Sequence, residues 1–574
     1  MNNENKKSGL LMEKLEASLL RGNISRRKFV QLAVAAGLTS LASAKAWSDK
    51  LDSIRANQDE KSRNIQPSYD YIVVGAGSAG CALVGRLAAD KNKKILLIEA
   101  GDWDTAPSVL DPRVWFTNLG SERDWKDIAT PFAGVNGRSI PEHTGRVLGG
   151  GSSINATIWA RPFKADLDHW AKVSGDQRWN YESSLEIFKA VENWQGKPEP
   201  QYRGQNGPVW CQPAHDPLPV ALAMLDACRD MNLPVLDDLN GAREISGEGI
   251  ALMNHIIRDG QRQNMARSYL YPVMNQDNVT VLINAHVEKI VLQGKSAAGI
   301  SMKYKGTTRV IRADRETILS GGGFNTPKLL MLSGIGDRSE LEKFNIDTVI
   351  HAPQVGKNMQ DHLLHGGVLF EPHEGESHRN SGAEVSGYLK SNADLELPDI
   401  SMVQIELPYV SAVIGREYNP PASSWAICGG LVTPQSRGTV SLRSANPDDR
   451  PQVDANFLEH PDDIAALGRS IELCQQIGAS PALRKYVKRE VIPGKKMTGK
   501  ELEDFVRNGA TTYFHVSGTC RMGNDDGAVV DSELRVNGIS KLRIADSSIM
   551  PKIVSCPTMA ACVLIGERAA RLLA

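Results

Sequence analysis

A glycine-rich turn that directly follows an apolar run constrains the fold of this chain more than any other feature. Residues 69–74 form a short, β-branched run that predicts a buried strand. The turn Gly75-Ala76-Gly77-Ser78-Ala79-Gly80 follows at once, residues 81–89 have helical spacing, and a second apolar run over 94–98 ends at Glu99. This order of strand, turn, helix, strand and acid predicts a Rossmann-like, dinucleotide-binding unit of the α/β class.

The residues of this unit have distinct mechanical roles. Gly75 permits a tight turn, Gly77 lets the backbone approach a pyrophosphate, and Gly80 lets the helix pack against the strand. Glu99 can accept hydrogen bonds from a ribose diol. The expected dinucleotide contacts are Gly75, Gly77, Ser78, Ala79, Gly80, Glu99 and Ala100. The unit alone does not decide between FAD and NAD.

Composition excludes several classes of protein. The 574 residues suit about two to four domains. Lys and Arg number 66 and Asp and Glu 67, so the chain lacks the basic surplus that a nucleic-acid partner requires. The eight cysteines show no CxxC pair, which argues against a disulfide framework or a zinc module. No apolar run reaches the roughly 18–20 residues needed to span a bilayer.

A second glycine run and several further motifs are similar to those of one enzyme family. The run is Gly145-Arg146-Val147-Leu148-Gly149-Gly150-Gly151-Ser152-Ser153-Ile154-Asn155, which together with residues 156–162 and Asp168 matches the first signature of that family. A second signature occupies 322–336, with Gly323 as its one departure, and further family-like pieces are 355–362, 436–442, 518–523 and 542–551. On these motifs residues 68–574 resemble the glucose–methanol–choline oxidoreductases, in which the dinucleotide is FAD.

The resemblance implies an interleaved architecture of two domains. A Rossmann-like FAD-binding domain is expected over 68–160, 250–365 and 512–574. An α+β substrate-binding domain built on an antiparallel sheet is expected over 161–249 and 366–511. Within the second signature, local rules predict a short helix that carries Pro327 in its first turn.

The resemblance also implies where an alcohol would be oxidised. His515 matches the family's catalytic histidine, and an imidazole suits proton abstraction near neutral pH while hydride leaves for flavin N5. The second active-site position, usually His or Asn, falls on Pro557, which has no side-chain donor. A proline there resembles the pyridoxine 4-oxidase branch, which acts on a hydroxymethyl group of an aromatic ring. Pro557 is also expected to begin the last helix, whose N-terminus would face the flavin.

The remaining cofactor contacts that the resemblance implies are spread along the chain. They are Arg146, Leu148, Gly149, Gly150, Ser153, Asn155, Ala156, Val287, Asp546, Ser547, Thr558 and Met559. Ile154 occupies the position at which some relatives carry a flavin-linked histidine, so non-covalent FAD is expected. A metal site at 361–365 is rejected because no further ligands stand at a supporting spacing. The loops that shape the substrate pocket are expected within 365–435.

The N-terminal segment is interpreted as an export signal. Ser25-Arg26-Arg27-Lys28-Phe29 precedes an apolar stretch to about residue 41, and small residues follow over 42–46. This order is typical of a twin-arginine signal, which predicts export of the folded protein to the periplasm by the twin-arginine machinery. The polar segment 47–67 is interpreted as a linker.

The leading hypothesis is an exported FAD-dependent dehydrogenase or oxidase of primary or secondary alcohols. Quinone or cytochrome c is the favoured electron acceptor, with oxygen as a further possibility. Three alternatives stay open from the sequence: an FAD-containing lyase on the same fold, an NAD-dependent dehydrogenase, and an FAD-binding module without catalytic activity. No metal and no nucleic-acid partner are expected.

Overall fold

The structure is a computed structural model that describes residues 41–242 and 247–574, with the backbone alone for 41–50. The expected export signal, 1–46, therefore lies outside the described residues except for 41–46, which open the first helix. Among the described helices, none combines the length and the apolar character needed to cross a bilayer.

The strands of the described residues are numbered in chain order. They are β1 Ser68–Val74, β2 Ile95–Ile98, β3 Asp127–Ile128, β4 Pro141–Glu142, β5 Glu192–Trp194, β6 Val209–Pro213, β7 Gly249–Leu252, β8 Asn254–His255, β9 Ile257–Arg258, β10 Gln261–Arg262, β11 Val279–Leu282, β12 Ala285–Gln293, β13 Ser296–Tyr304, β14 Thr307–Leu319, β15 Ile335–Gly336, β16 Ile350–His351, β17 Leu363–His365, β18 Leu369–Glu371, β19 Ala383–Leu389, β20 Ile400–Ile405, β21 Trp425–Leu431, β22 Thr439–Ser441, β23 Gln452–Asp454, β24 Arg489–Ile492, β25 Ala510–Thr512 and β26 Leu542–Ile544.

The α-helices of the described residues are numbered in the same way. They are α1 Leu41–Arg63, α2 Ser78–Leu87, α3 Pro107–Leu110, α4 Lys164–Ser174, α5 Tyr181–Val191, α6 Pro219–Asp230, α7 Gly322–Leu332, α8 Arg338–Glu342, α9 Ala412–Tyr418, α10 Pro461–Gly478, α11 Gly499–Gly509 and α12 Met559–Leu572.

The first sheet carries the dinucleotide-binding unit. Its order is β11-β2-β1-β14-β13-β12, with β26 paired to β14. The pairs among β11, β2, β1, β14 and β26 are parallel, whereas β12, β13 and β14 form an antiparallel meander. β2 is buried throughout, as parallel strands covered on both faces are. The strand, turn and helix predicted at 69–89 are confirmed, and the carboxyl ends of β1, β2 and β14 lie side by side.

The second sheet is the antiparallel sheet expected for a substrate domain, and it is confirmed. Its order is β24-β18-β21-β20-β19-β7, with β17 paired to β21 and β25. Because β7 pairs with β19 and β17 with β21, the expected FAD-binding segment 250–365 is wrong at both ends. Such short apolar strands carry no local signal of the sheet in which they pair.

The segment expected to be a linker, 47–67, lies mostly in helix α1, so that interpretation is wrong. Leu51 and Ile54 are buried, and Gln58 falls on the same helical face. The Gln58 side chain accepts a hydrogen bond from the Val281 backbone N–H at 2.8 Å and donates one to the Val279 carbonyl at 3.3 Å. Both groups belong to β11, the edge strand of the first sheet. Because Gln58 is polar, the sequence shows no continuous apolar face that would have predicted this helix.

Substitution of Gln58 tests whether α1 seals this sheet edge. We expect Gln58→Ala to lower the unfolding temperature, because the buried Val281 N–H loses its partner at a cost of roughly 1–3 kcal/mol. The Val279 carbonyl keeps a second donor, the Lys61 ammonium group at 2.9 Å. Glu60→Ala, at an exposed position of the same helix, is the matched control. Equal unfolding temperatures of the two variants, measured by circular dichroism, would contradict the sealing role.

Candidate active site

One cavity of about 650 Å³ begins at the carboxyl ends of the parallel strands and reaches the second sheet. Val74, Ile98 and Leu319 line its first end, as expected for a ligand site of a doubly wound sheet. Val403 and Ile405 of β20 line its other end. The cavity therefore joins the two domains, and loops within 365–435 contribute to it as the sequence predicted.

Most of the expected cofactor residues line this cavity. Those in the lining are Gly75, Gly77, Ser78, Ala79, Glu99, Ala100, Gly150, Asn155, Ala156, Val287, Asp546, Ser547, Thr558 and Met559. Those outside the lining are Gly80, Arg146, Leu148, Gly149 and Ser153. The second group lies directly behind the first, where it shapes the backbone that the cavity exposes.

The glycine turn folds as its spacing predicts. Gly75 has φ +104°, and a Cβ there would stand 2.3 Å from the Ser320 carbonyl oxygen. A Cβ on Gly80 would stand 2.1 Å from the Gly75 carbonyl oxygen, so only glycine lets α2 pack this closely against the turn. The N-terminus of α2 is thereby held at the end of β1.

The second glycine run docks on the first. The Gly149 N–H donates to the Ala76 carbonyl at 2.9 Å, and a Cβ on Gly150 would stand 2.7 Å from the Gly77 Cα. Behind the run, the Ser153 hydroxyl donates to the Leu148 carbonyl at 2.6 Å. Leu148, Gly149 and Ser153 therefore fix the run without facing the cavity.

The geometry of the cavity fits FAD. Two helices, α2 and α12, have no side-chain hydrogen bond at their N-caps, Gly77 and Thr558, and both caps line the cavity. Such N-termini present N–H donors and partial positive charge to anionic groups. Helix α7 differs, because the Asp546 carboxylate accepts from the Gly322 N–H at 2.9 Å and occupies that N-terminus.

Glu99 stands where a ribose is expected. Its carboxylate accepts hydrogen bonds from the backbone N–H groups of Ala76 at 3.0 Å and Gly101 at 2.8 Å. Burial raises the pKa of Glu99 to about 7, so the group can accept or donate a further hydrogen bond near neutral pH. Arg146 lies behind the cavity wall, with its guanidinium 5.4 Å from the centre of the Trp125 ring.

The loop after β25 presents His515 to the cavity. The His515 backbone N–H donates to the Asp361 carboxylate at 2.8 Å, which fixes the loop. Its ring stacks on Tyr513 at a centroid distance of 5.4 Å. Its Nδ1 lies 2.9 Å from Nδ1 of His362. One of these two nitrogens therefore carries a proton and donates a hydrogen bond, and the other accepts that hydrogen bond. Nε2 of His515 has no hydrogen-bond partner among the described residues.

The electrostatics around His515 keep its imidazole neutral. Burial, followed by the charge of neighbouring His362, lowers the pKa of His515 well below its ordinary value of 6.5. Burial also lowers the pKa of His362 to about 3. Behind them, burial raises the pKa of Asp361 and of Glu142, which lies beside it. An unprotonated imidazole that faces a cavity can act as a general base.

Pro557 lines the cavity, although it does not begin the last helix as expected. Helix α12 starts at Met559 with Thr558 as its N-cap, so Pro557 lies one residue before the cap. The wall on this side is mainly apolar and aromatic. It includes Ile154, Ile158, Leu364, Val403, Ile405, Leu407, Tyr409, Phe514, Trp115 and Phe116.

Sequence reasoning missed several residues of the site. Apart from the rejected metal site, the sequence predicts no role for Asp361 and His362, although they hold the backbone and the ring of His515. The adjacency of an acid and a histidine in the family-like piece 355–362 could have indicated them. His143 and Trp125 also line the cavity, and no sequence motif indicated either of them.

This fold and this site define an oxidoreductase that depends on a dinucleotide, and comparison with known proteins identifies the family. The GMC oxidoreductase family models match residues 69–364 and 434–566. The chain is 35% identical to an oxygen-dependent choline dehydrogenase of Brucella ovis over 532 residues, which are 87% of this chain and 94% of the relative. It is 34% identical to an alcohol dehydrogenase [acceptor] of Pseudomonas putida over 535 residues, 88% and 95% of the two chains.

Solved structures agree with this identification. Pyridoxine 4-oxidase from Mesorbium loti superposes with a TM-score of 0.83 at 32% identity, over 88% of this chain and 99% of that chain. A formate oxidase superposes with a TM-score of 0.80 at 25% identity, over 88% and 98% of the two chains. The chain therefore belongs to the GMC oxidoreductase family. Its cofactor is FAD, and it oxidises an alcohol at a CH–OH group.

Removal of the imidazole tests the role of His515. We expect His515→Ala to lower the turnover of alcohol by about 100- to 10,000-fold, the range for loss of a general base. FAD content should stay unchanged, because His515 lies beyond the glycine runs that form the cofactor end. His460→Ala, which removes an exposed histidine, is the control. Turnover by His515→Ala equal to that of the control would contradict the base assignment.

The pKa of His515 predicts the pH dependence of alcohol oxidation. A base must be unprotonated, and a lowered pKa keeps His515 unprotonated to more acidic pH, so the acid limb of kcat/KM should lie below 6.5. His362→Asn removes the second and smaller cause of this lowering and should move the limb to higher pH. A wild-type limb at or above 6.5, measured with an artificial electron acceptor, would contradict a buried neutral base.

Proposed function

We propose that this protein oxidises a primary alcohol carried on an aromatic ring, with His515 as the base and FAD held without a covalent bond. The observation that carries the proposal is the position of the neutral His515 imidazole between the cofactor end of the cavity and an apolar, aromatic wall. Pyridoxine 4-oxidase, one of the structures most similar to this chain, is consistent with an aromatic substrate.

Each residue of the site has a separate role in the proposed reaction. FAD, when bound, supplies the acceptor for the hydride of the carbinol carbon. Nε2 of His515 takes the hydroxyl proton, while its Nδ1 faces His362 and keeps the ring in one orientation. Asp361 holds the backbone of His515 in place. The apolar wall excludes water from the reacting carbon.

The charge of the cavity favours a neutral substrate. Among the described lining residues, the carboxylates are Glu99 and Asp546, and both lie at the cofactor end. Beside Pro557 and Phe514 no lining carboxylate of the described chain stands ready to pair with a quaternary ammonium group. A cation such as choline would therefore exchange its hydration for contact with aromatic faces but no counter-charge, whereas an aromatic ring gains contact with aromatic side chains at a smaller loss of hydration.

Comparison of two substrates tests this proposal. We expect kcat/KM for benzyl alcohol to exceed that for choline by more than about tenfold, the ratio given by 1.4 kcal/mol of differential binding. The assay uses an artificial electron acceptor, so that the identity of the natural acceptor does not matter. A preference for choline would contradict the proposed substrate class.

The mode of FAD attachment follows from Ile154. This side chain lines the cavity at the position of the flavin-linked histidine of some relatives, and its hydrocarbon side chain cannot form such a bond. A structural neighbour, the formate oxidase of Aspergillus oryzae, has been studied for modification of its FAD. We expect acid precipitation to release all of the FAD into the supernatant. Yellow colour that stays with the precipitate would contradict non-covalent binding.

Export by the twin-arginine route and transfer of electrons to a quinone or cytochrome c complete the proposal. Within the described residues, which include all eight cysteines, no disulfide bond forms and seven of the cysteines are buried, which suits a chain that folds in a reducing compartment before export. We expect the double variant Arg26→Lys with Arg27→Lys to accumulate in the cytoplasm with FAD bound. Periplasmic activity of that variant equal to wild type, after osmotic-shock fractionation, would contradict this route.

A further inference from the structure

A carboxylate–imidazole pair lies in the wall of the same cavity. Nδ1 of His143 is 2.5 Å from the Asp124 carboxylate. Asp124 is fully buried, and it also accepts from the backbone N–H groups of Gly120 at 2.7 Å and Lys126 at 3.0 Å. The imidazole is thus held by a carboxylate that the backbone fixes from several sides.

This arrangement leaves one nitrogen of His143 available to a ligand. His143 lines the cavity with 18% of its side chain exposed, and its Nε2 has no hydrogen-bond partner among the described residues. Burial opposes ionisation of Asp124, but the hydrogen bonds from His143 and from the backbone hold the pKa of Asp124 below its ordinary value. When the imidazole of His143 carries a single proton, the Asp124 carboxylate places that proton on Nδ1, so Nε2 is an acceptor.

The position of His143 separates it from the reacting group of the substrate. Its ring meets the Phe514 ring edge-on at a centroid distance of 4.9 Å. His515, the next residue, stacks on Tyr513 instead. Because the reacting hydroxyl group is assigned to His515, His143 is left to a second polar group, carried on another part of the molecule. Pro557 offers that group no side-chain partner.

We propose that Nε2 of His143, oriented by Asp124, accepts a hydrogen bond from a second hydroxyl group of the substrate. The protein then selects aromatic alcohols that carry a ring hydroxyl over unsubstituted ones. His143 is a binding residue that determines specificity, and Asp124 is a positioning residue that sets its tautomer. The inference rests on the proposed function, because it assumes that aromatic alcohols are oxidised at His515.

The test compares substituents rather than overall activity. Benzyl alcohol and its hydroxy and methoxy derivatives are assayed with the holoenzyme at one fixed pH. A hydroxyl donates a hydrogen bond, whereas a methoxy group only accepts one. We expect wild type to prefer at least one hydroxybenzyl alcohol over both its methoxy analogue and benzyl alcohol by about tenfold or more.

Two variants and one control separate the roles of the pair. His143→Phe keeps a ring against Phe514 and should abolish the preference, while kcat/KM for benzyl alcohol changes by less than about threefold. Asp124→Asn removes the carboxylate charge that holds the imidazole proton on Nδ1, so the preference for hydroxy over methoxy substituents should fall. His286→Phe is the matched control, because His286 also lines the cavity and faces a carboxylate, Asp448, at 3.2 Å. It should leave the preference unchanged.

The outcomes distinguish this inference from the proposed function. If wild type oxidises no aromatic alcohol, the proposed function itself fails. If it oxidises them, but without a hydroxy preference or with the same preference in His143→Phe, only the inference is overturned.

FAD affinity is measured by titration of each apoprotein. A loss of FAD affinity in His143→Phe at unchanged substituent preference would assign His143 to the cofactor and also overturn it. Asp124→Asn keeps the test decisive if His143→Phe does not fold.

Discussion

The close contact between two glycine segments is the constraint on which the rest of the structure depends. Gly77 and Gly150 approach so closely that a Cβ on Gly150 would stand 2.7 Å from the Gly77 Cα. This contact presses the second glycine run against the end of β1. Helix α12 packs equally closely on α2, because a Cβ on Gly566 would meet the Ala79 carbonyl oxygen at 2.2 Å. Backbone donors from three distant parts of the chain thereby converge on one cavity, as FAD binding requires.

Strand pairing in the second sheet places the catalytic imidazole at the same cavity. Leu363 of β17 is paired with Thr512 of β25, so the residues that flank these strands, His362 and His515, come together. Their burial makes two neutral imidazoles more stable than two charged ones. The same burial that builds the domain interface therefore supplies the base. Stability and catalysis depend on one set of contacts here.

The sequence predicts the parts of this fold that local patterns encode. The spacing of the glycines from Gly75 to Gly80 is visible in the sequence. It predicts both the parallel part of the first sheet and the cofactor end of the cavity. Contacts between residues that are distant in the sequence could not be predicted in this way. Helix α7 begins at Gly322 rather than near Pro327, because Asp546, over 200 residues away, caps it. His143 could not be identified, because its significance comes from Asp124 and Phe514, which no local motif connects to it.

The central claim is that FAD bound in this cavity accepts a hydride as His515 takes a proton. The most direct measurement is the visible absorbance spectrum of the purified protein, recorded without oxygen before and after an aromatic alcohol is added. The account predicts an oxidised flavin spectrum that bleaches on addition of the alcohol. A colourless protein, or a flavin spectrum that no alcohol bleaches, would contradict it.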